Sequence, residues 1–166
     1  MSTAAELFRT RAVAFCDLIQ NQLQGQELPQ REFLARLRVS LADLYAAALR
    51  LPDVDPVADS LPSGVASSEW QAIYEGLQAH LPRDAFWEIF DPGEVDQPEA
   101  ILGSLADALA DIYRDLREGT DVLDGGATQD DAVWTWRDSF TFHWGHHVLD
   151  ALRAIACLSE PYTLPD

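Results

Sequence analysis

The stretch SLADALADIYRDLREG, residues 104 to 119, decides the fold because its apolar and acidic residues separate at helical spacing. The apolar residues and the acidic residues fall on two different sides of the predicted helix: Leu105, Leu109, Ile112 and Leu116 on one, Asp107, Asp111, Asp115 and Glu118 on the other. Ser104 has the position of an N-cap, and Gly119 is expected to end the helix. The apolar side must pack against other elements, which we expect to be helices.

The helical period recurs along most of the chain, with loop signals between its segments. Further helices are predicted near residues 8–23, 30–48 and 67–81, where Ser68 and Gln71 form a capping-box pattern, and at about 130–158. The aromatic segment FWEIFDP, residues 86 to 92, is interpreted as a short helix or turn followed by a loop. The fold class is therefore all-α. We predict one domain, residues 1 to 166, with about five helices in a bundle-like array and the last helix longest.

The charge of the chain restricts its partners. Eleven cations, all of them arginine, face 28 acids, and the net charge is −17. Nucleic acids and anionic membranes attract basic surfaces, so we expect neither as a partner. A partner protein with a basic surface fits the charge better. We found neither a signal sequence nor a membrane span, and we expect a cytoplasmic protein whose two cysteines, Cys16 and Cys157, are reduced core residues.

The segments FRTRAVAFCDLI, LADLYAAALRLPDVD, FWEIFDP, SLADALADIYRDLREG and HWGHHVLDALRA together resemble a bacterial family catalogued as domain of unknown function 5063. The likeness covers most of the chain. It implies an all-helical fold and a bacterial origin, and it supplies no reaction, ligand or catalytic residue.

The stretch DSFTFHWGHHVLDALRAI, residues 138 to 155, holds three of the four histidines. His143 and His147 are four residues apart, so both imidazoles face the same side of a helix and can reach one ion. Asp107 and Asp111 of the acidic helix are the expected carboxylate ligands. Such a set would suit Zn, Fe, Mn or Ni. The alternative is a polar core in which the imidazoles donate to these aspartates without metal and no cofactor is bound, which we favour.

The acidic residues at 107, 111 and 115 have their own alternative interpretation. Arginines at 114 and 117 alternate with them, which is typical of a solvated helix face with ion pairs. We favour that interpretation over a ligand set, unless Asp107 or Asp111 is buried.

Three tryptophans are candidates for a protein interface. Trp134 and Trp136 project about 200° apart on a helix, so both cannot face one core, and Trp87 lies in the aromatic segment. Phosphate-loop, nucleophile-elbow and HExxH motifs are absent from the sequence. We therefore expect a non-enzymatic protein-binding or regulatory module, with a metal-binding bundle or metal-dependent hydrolase as the alternative.

Overall fold

The computed structural model describes residues 3–58, 64–89, 93–96 and 99–159 of the 166-residue chain. Its elements, in chain order, are α1 (Thr3–Leu23), α2 (Gln30–Ala48), α3 (Ser67–His80), β1 (Ala85–Ile89), β2 (Ala100–Ser104), α4 (Leu105–Asp124), α5 (Gln129–Ser139), a π-helical turn (Phe140–Trp144) and α6 (Gly145–Ser159). The last three are continuous, so the chain forms five helical rods of which the last is longest. The all-α prediction is confirmed. None of the described helices combines the length and the apolar character needed to cross a membrane.

Helix α4 is the centre of the molecule, because α1, α3, α5 and α6 all pack against it. Most of its residues are buried, on nearly every side. Its N-terminus is capped as predicted, since the Asp107 N–H donates to Ser104 Oγ at 3.1 Å. The acidic residues in its middle therefore lie among packed helices. The interpretation of a solvated face is wrong for Asp111 and Asp115, which are buried, although the expected ion pair of Arg114 with Asp111 is present.

Gly119 does not end α4, contrary to the prediction, and the helix continues to Asp124. A Cβ atom at position 119 would lie 2.3 Å from Trp136 Nε1, which is far inside van der Waals contact. That indole instead donates to the backbone oxygen of Leu116 at 3.0 Å. Glycine is required here because the ring of α5 packs directly on the α4 backbone, where a side chain would displace it.

Residues 86–89 of the aromatic segment belong to strand β1 rather than to the expected helix or turn, and residues 90–92 lie outside the described part of the chain. Strands β1 and β2 pair antiparallel, with Trp87 opposite Leu102 and Phe86 opposite Gly103. Their residues alternate between exposed and partly buried, as one-sided burial of a hairpin requires. Because this alternation lasts only five residues and the pairing segment is far along the chain, the local pattern did not reveal it. The hairpin leads directly into α4.

Two smaller predictions about local structure are also wrong. Helix α3 begins at Ser67 with Ala66 at the N-cap position and has no side-chain cap, so the Ser68 and Gln71 capping box does not form. Cys16 is buried as expected, whereas Cys157 is exposed on α6. The buried residues Ala154 and Ile155 belong to the side of α6 that packs on the core, and Cys157 lies on another side of this helix.

The C-terminal rod contains a π-helical turn, which inserts one extra residue between α5 and α6. The N–H of Gly145 donates to the Phe140 carbonyl across this turn. A Cβ at position 145 would lie 2.3 Å from that carbonyl oxygen, so glycine is needed at the end of the turn. Trp144, within the turn, is buried and packs against Phe140 and Phe8. The turn is therefore fixed by core packing.

Candidate metal centre

The candidate centre lies where α4 faces the C-terminal rod. Asp111 of α4 and the two histidines, His143 in the π turn and His147 in α6, bring one ligand atom each to within 4.8 Å of one another. Asp111 Oδ2 is 3.5 Å from His143 Nε2 and 3.6 Å from His147 Nε2. Ligands of a tetrahedral ion at about 2.1 Å are about 3.4 Å apart. Two of the three separations are therefore close to those of a metal site, and the third is no more than 4.8 Å.

The carboxylate of Asp111 is held in place by two other side chains. The indole Nε1 of Trp70, on α3, donates to Asp111 Oδ1 at 2.8 Å, and an Nη2 of Arg114 lies 2.9 Å from the same oxygen. Asp111 is only 9% exposed. Because Oδ1 is occupied by these donors, Oδ2 is the oxygen that remains to face the two imidazoles.

The imidazole of His143 is oriented by a second carboxylate. His143 Nδ1 lies 2.7 Å from Asp115 Oδ2, a distance at which an Nδ1–H donates to an ionised carboxylate. Asp115 is 5% exposed and also lies near Arg114 Nε, at 3.5 Å. Metal-binding histidines commonly donate their second ring nitrogen to a carboxylate in this way, which fixes the tautomer and leaves Nε2 free to bind.

The two imidazole rings pack edge to face, with their centroids 4.8 Å apart. Burial lowers the pKa of His147, and the neighbouring His143 lowers it further, while the nearby carboxylates oppose the shift. The neutral imidazole is the form that binds metal. Both side chains are partly exposed, so an ion held there would remain accessible to water and small molecules.

Acidic groups are in excess around the centre. Burial raises the pKa of Asp107, and the adjacent charge of Asp111 raises it further. The pKa of Glu118 is raised by burial and by the charge of Asp115. The pKa of Glu88, in the hairpin, is raised by burial and by the charges of Asp150 and Asp107. Arg114 is the arginine in direct contact with Asp111 and Asp115. This imbalance of charge favours a cation at the centre.

The structure brings together three of the four residues predicted as metal ligands: Asp111, His143 and His147. Asp107 does not belong to this close group, and its backbone N–H instead serves the start of α4. From the sequence, Asp115 was considered with Asp107 and Asp111 as a possible ligand and not as the partner of His143, and Trp70 was missed. Asp115 follows Asp111 by four residues, so its helical spacing was a usable signal, whereas Trp70 comes from another helix and carried none.

The three candidate interface tryptophans have different environments. Trp87 is 69% exposed on the outer face of β1, and Trp134 is partly buried. Trp136 is 1% exposed, because its ring fills the space above Gly119 and packs on Phe8 with ring centroids 5.1 Å apart. Trp136 is therefore a core residue and is not available to a partner.

Comparison with known proteins identifies a sequence family and a solved structure of the same fold. The sequence profile of the family described as "Domain of unknown function (DUF5063)" matches residues 1–160. The crystal structure of protein BF1032 from Bacteroides fragilis has the same fold, with a TM-score of 0.82 over 99% of this chain and 98% of that chain. The two sequences are 20% identical, so the likeness concerns the fold alone. No curated protein matches the sequence.

Proposed function

The chain belongs to the family described as a domain of unknown function (DUF5063), and on the geometry of its site we propose that it binds one divalent transition-metal ion. The ligands are His143 Nε2, His147 Nε2 and Asp111 Oδ2. One observation carries the proposal: Asp111 and His143 are each held by further side chains in the orientation that ligands need. A set of two imidazoles and one carboxylate suits Zn, Fe, Mn or Ni.

Three protein ligands leave coordination positions free, as in catalytic rather than structural metal sites. A divalent ion in such a site lowers the pKa of a bound water and supplies hydroxide near neutral pH. Asp115 would hold His143, and Trp70 and Arg114 would hold Asp111, while substrate reaches the partly exposed imidazoles. We therefore propose hydrolysis as the reaction class that this centre supports.

The first test is metal content, measured by mass spectrometry on tag-free protein purified without a metal column. We expect close to one ion per chain after incubation with Zn²⁺, Mn²⁺, Fe²⁺ or Ni²⁺ and gel filtration. His147→Ala should lose it. The matched control is His146→Ala, which removes an exposed imidazole from the same helix but outside the group of ligands. Failure of the native protein to retain any of the four ions would overturn the proposal.

Hydrolysis is tested separately, so that metal binding can stand without it. Metal-loaded protein is assayed with a p-nitrophenyl ester and a p-nitrophenyl phosphodiester, beside His147→Ala. Turnover that requires both the ion and His147 supports the reaction class. If the metal-loaded protein hydrolyses neither substrate faster than His147→Ala does, the hydrolase proposal is wrong for these bonds. The proposal of metal binding would then stand alone.

A second candidate function, binding of a partner protein, is favoured by the outer face of the hairpin. Trp87 and Leu102 are cross-strand neighbours, and both are largely exposed together with Ile89. Contiguous exposed apolar side chains mark interaction sites more often than inert surface. The exposed acids Glu94 and Glu99 lie in the segment joining the strands. The proposed partner therefore presents an apolar patch bordered by basic residues.

This candidate is tested by placing a photo-crosslinking residue at position 87 in the cells of origin, beside the same residue at Val39, an exposed position on α2. We expect one cross-linked protein at position 87, with a basic surface and a yield that falls as salt rises. The same products at both positions, or none at position 87, would remove the proposal.

A further inference from the structure

A cavity of about 450 Å³ lies between the base of the hairpin and the last helix, apart from the candidate metal centre. The segment from Arg83 to Trp87 forms one wall, and Arg153, Ala154, Cys157 and Leu158 of α6 form the other. Its size is within the range of small-molecule sites. The metal ligands do not line it, so a ligand here would be independent of the metal.

Two arginines give this cavity a charge opposite to that of the whole chain. Arg83 and Arg153 both line it, and among the described residues neither forms an ion pair, whereas Arg9, Arg36 and Arg137 each do. Burial raises the pKa of Asp150, and Arg153, one turn later in α6, is among the cations that oppose this shift. The lining of this cavity therefore contains two guanidinium groups and a single carboxylate, that of Asp84.

Asp84, the acid that lines the cavity, is already engaged elsewhere. Its carboxylate accepts hydrogen bonds from Ser104 Oγ at 2.9 Å and from the Ala106 N–H at 2.7 Å. The charge thus caps the N-terminus of α4, where a negative group is stabilising. It is not free to neutralise Arg83. The two guanidinium groups remain available to an anion from outside.

The other walls of the cavity are apolar. Phe86 and Leu105 are buried or partly buried in the floor, Ala154 and Leu158 belong to α6, and Leu102 lies at the rim. A second cavity of about 520 Å³ shares Arg83 and Leu158 with the first and is lined also by Leu34 and Arg31. Because Gln30 and Ser159 also line this second cavity, the apolar part of a ligand is expected in the first cavity.

We propose that this cavity binds a small amphipathic anion, a carboxylate carrying an unbranched acyl chain, with the carboxylate between Arg83 and Arg153 and the chain on the apolar walls. A guanidinium group pairs with a carboxylate through two parallel hydrogen bonds. The apolar walls add the free energy of removing the acyl chain from water. Neither a free phosphate ion nor a neutral alcohol of the same length satisfies both parts of the cavity.

The test uses decanoate as the probe and calorimetry on the full-length protein in the presence of a chelator. We expect saturable binding at one site per chain. Arg83→Gln and Arg153→Gln should each weaken it by at least about tenfold, since each removes a charge-assisted contact. Both arginines are exposed, so these variants should fold, which thermal unfolding checks. Arg36→Gln, which alters a paired arginine on α2, is the matched control.

Cys157 provides a second measurement that locates the site. It is exposed and lines the cavity, whereas Cys16 is buried, so a maleimide should react with Cys157 alone in the folded protein. Decanoate should slow this reaction in the native protein and not in the Arg83→Gln, Arg153→Gln double variant. Decanol should slow it much less at the same concentration.

Besides absence of all binding, three kinds of result would overturn the proposal. The first is equal binding of decanoate and decanol, which would leave only apolar contact. The second is unchanged decanoate binding in the double arginine variant, or binding that leaves the Cys157 rate unaltered. The third is binding to vesicles of anionic phospholipid with no binding of free decanoate, which would indicate a membrane surface as the source of the anion.

Discussion

His143 Nδ1 and Asp115 Oδ2 lie 2.7 Å apart, and this contact joins the π turn of the last rod to the middle of α4. Because Asp115 is buried and lies at Nδ1, the imidazole is oriented with Nε2 toward Asp111. The centre thus has a carboxylate on each side of His143. One is expected to bind the ion and the other to hold the ring.

The Asp115→Asn variant tests the role of this contact. The amide can still accept a hydrogen bond, but it does not strengthen the basicity of the imidazole as a carboxylate does. Loss of such a supporting carboxylate lowers metal affinity by about 10- to 100-fold. We expect one ion per chain with weaker binding, measured by competition with a chromogenic chelator. Asp121→Asn, at the surface partner of Arg117, should bind as the native protein does. If the Asp115→Asn and Asp121→Asn variants bind the metal ion with equal affinity, Asp115 does not support the centre.

Gly119→Ala tests the direct packing of Trp136 on the α4 backbone. Alanine should favour a helix by about 1 kcal/mol over glycine, so helix propensity alone predicts a more stable protein. The added Cβ would lie 2.3 Å from Trp136 Nε1, and overpacking of this kind costs about 1–3 kcal/mol. We expect a net fall in the free energy of unfolding, measured with urea. The effects of Gly119→Ala and Trp136→Phe should not add, because the two residues are in contact. A more stable Gly119→Ala variant would show that the ring does not pack as described.

Asp131 makes part of the stability depend on acid pH. Its carboxylate accepts hydrogen bonds from Thr128 and from the backbone N–H groups of Ala58 and Val57, and these bonds lower its pKa to about 2. A carboxyl group whose pKa is lower in the folded state than the usual value near 3.9 stabilises the fold above that value. This contribution is lost as pH falls from about 4 to about 2.

Asp131→Asn should therefore lower the melting temperature at pH 6 and have a much smaller effect near pH 2, where the native carboxyl group is itself becoming protonated. Asp130→Asn, one residue earlier and exposed, is the control. The measurement is thermal unfolding followed by circular dichroism across this pH range. A melting temperature equally reduced at both ends of the range would contradict the proposed source of the effect.

The two cysteines should differ widely in reactivity. Burial raises the pKa of the Cys16 thiol to about 12, so almost none of it is thiolate below pH 9. Cys157 is exposed. We expect one thiol to react with a disulfide reagent in the native protein and two after unfolding in guanidinium chloride. The Cys157→Ser variant should show none before unfolding. Reaction of Cys16 at a rate near that of Cys157 would mean that α1 opens readily.

The helices and much of the candidate centre could be predicted because helical spacing is a local property. The four-residue intervals between His143 and His147, and between Asp107 and Asp111, restricted the ligands to a few residues before any packing was known. The choice between Asp107 and Asp111 could not be made in this way. It depends on how far α4 is displaced along its axis relative to the last rod, which is a tertiary property.

The errors share one physical cause, which is that contacts between distant segments override local signals. Glycine is typical of a helix end, but Gly119 lies within α4, where the absence of a side chain leaves room for the ring of Trp136. The strand at Phe86 to Ile89 is stable because Ala100 to Ser104 pairs with it. Burial of Asp111 and Asp115 follows from the number of helices around α4. None of these contacts has a signature within a single segment.

The π-helical turn also affects how the chain tolerates insertions and deletions. A π turn holds one residue more than an α turn, so loss of one residue between 140 and 144 could restore an uninterrupted α-helix without breaking the rod. The cost would be rotation of α6 by about 100° relative to α5. Such a rotation would turn His147 away from Asp111 while the helix content stayed the same. Relatives that lack one residue at this turn should therefore keep the fold but lose the arrangement of the three ligands. Relatives with the same length at this turn should keep both.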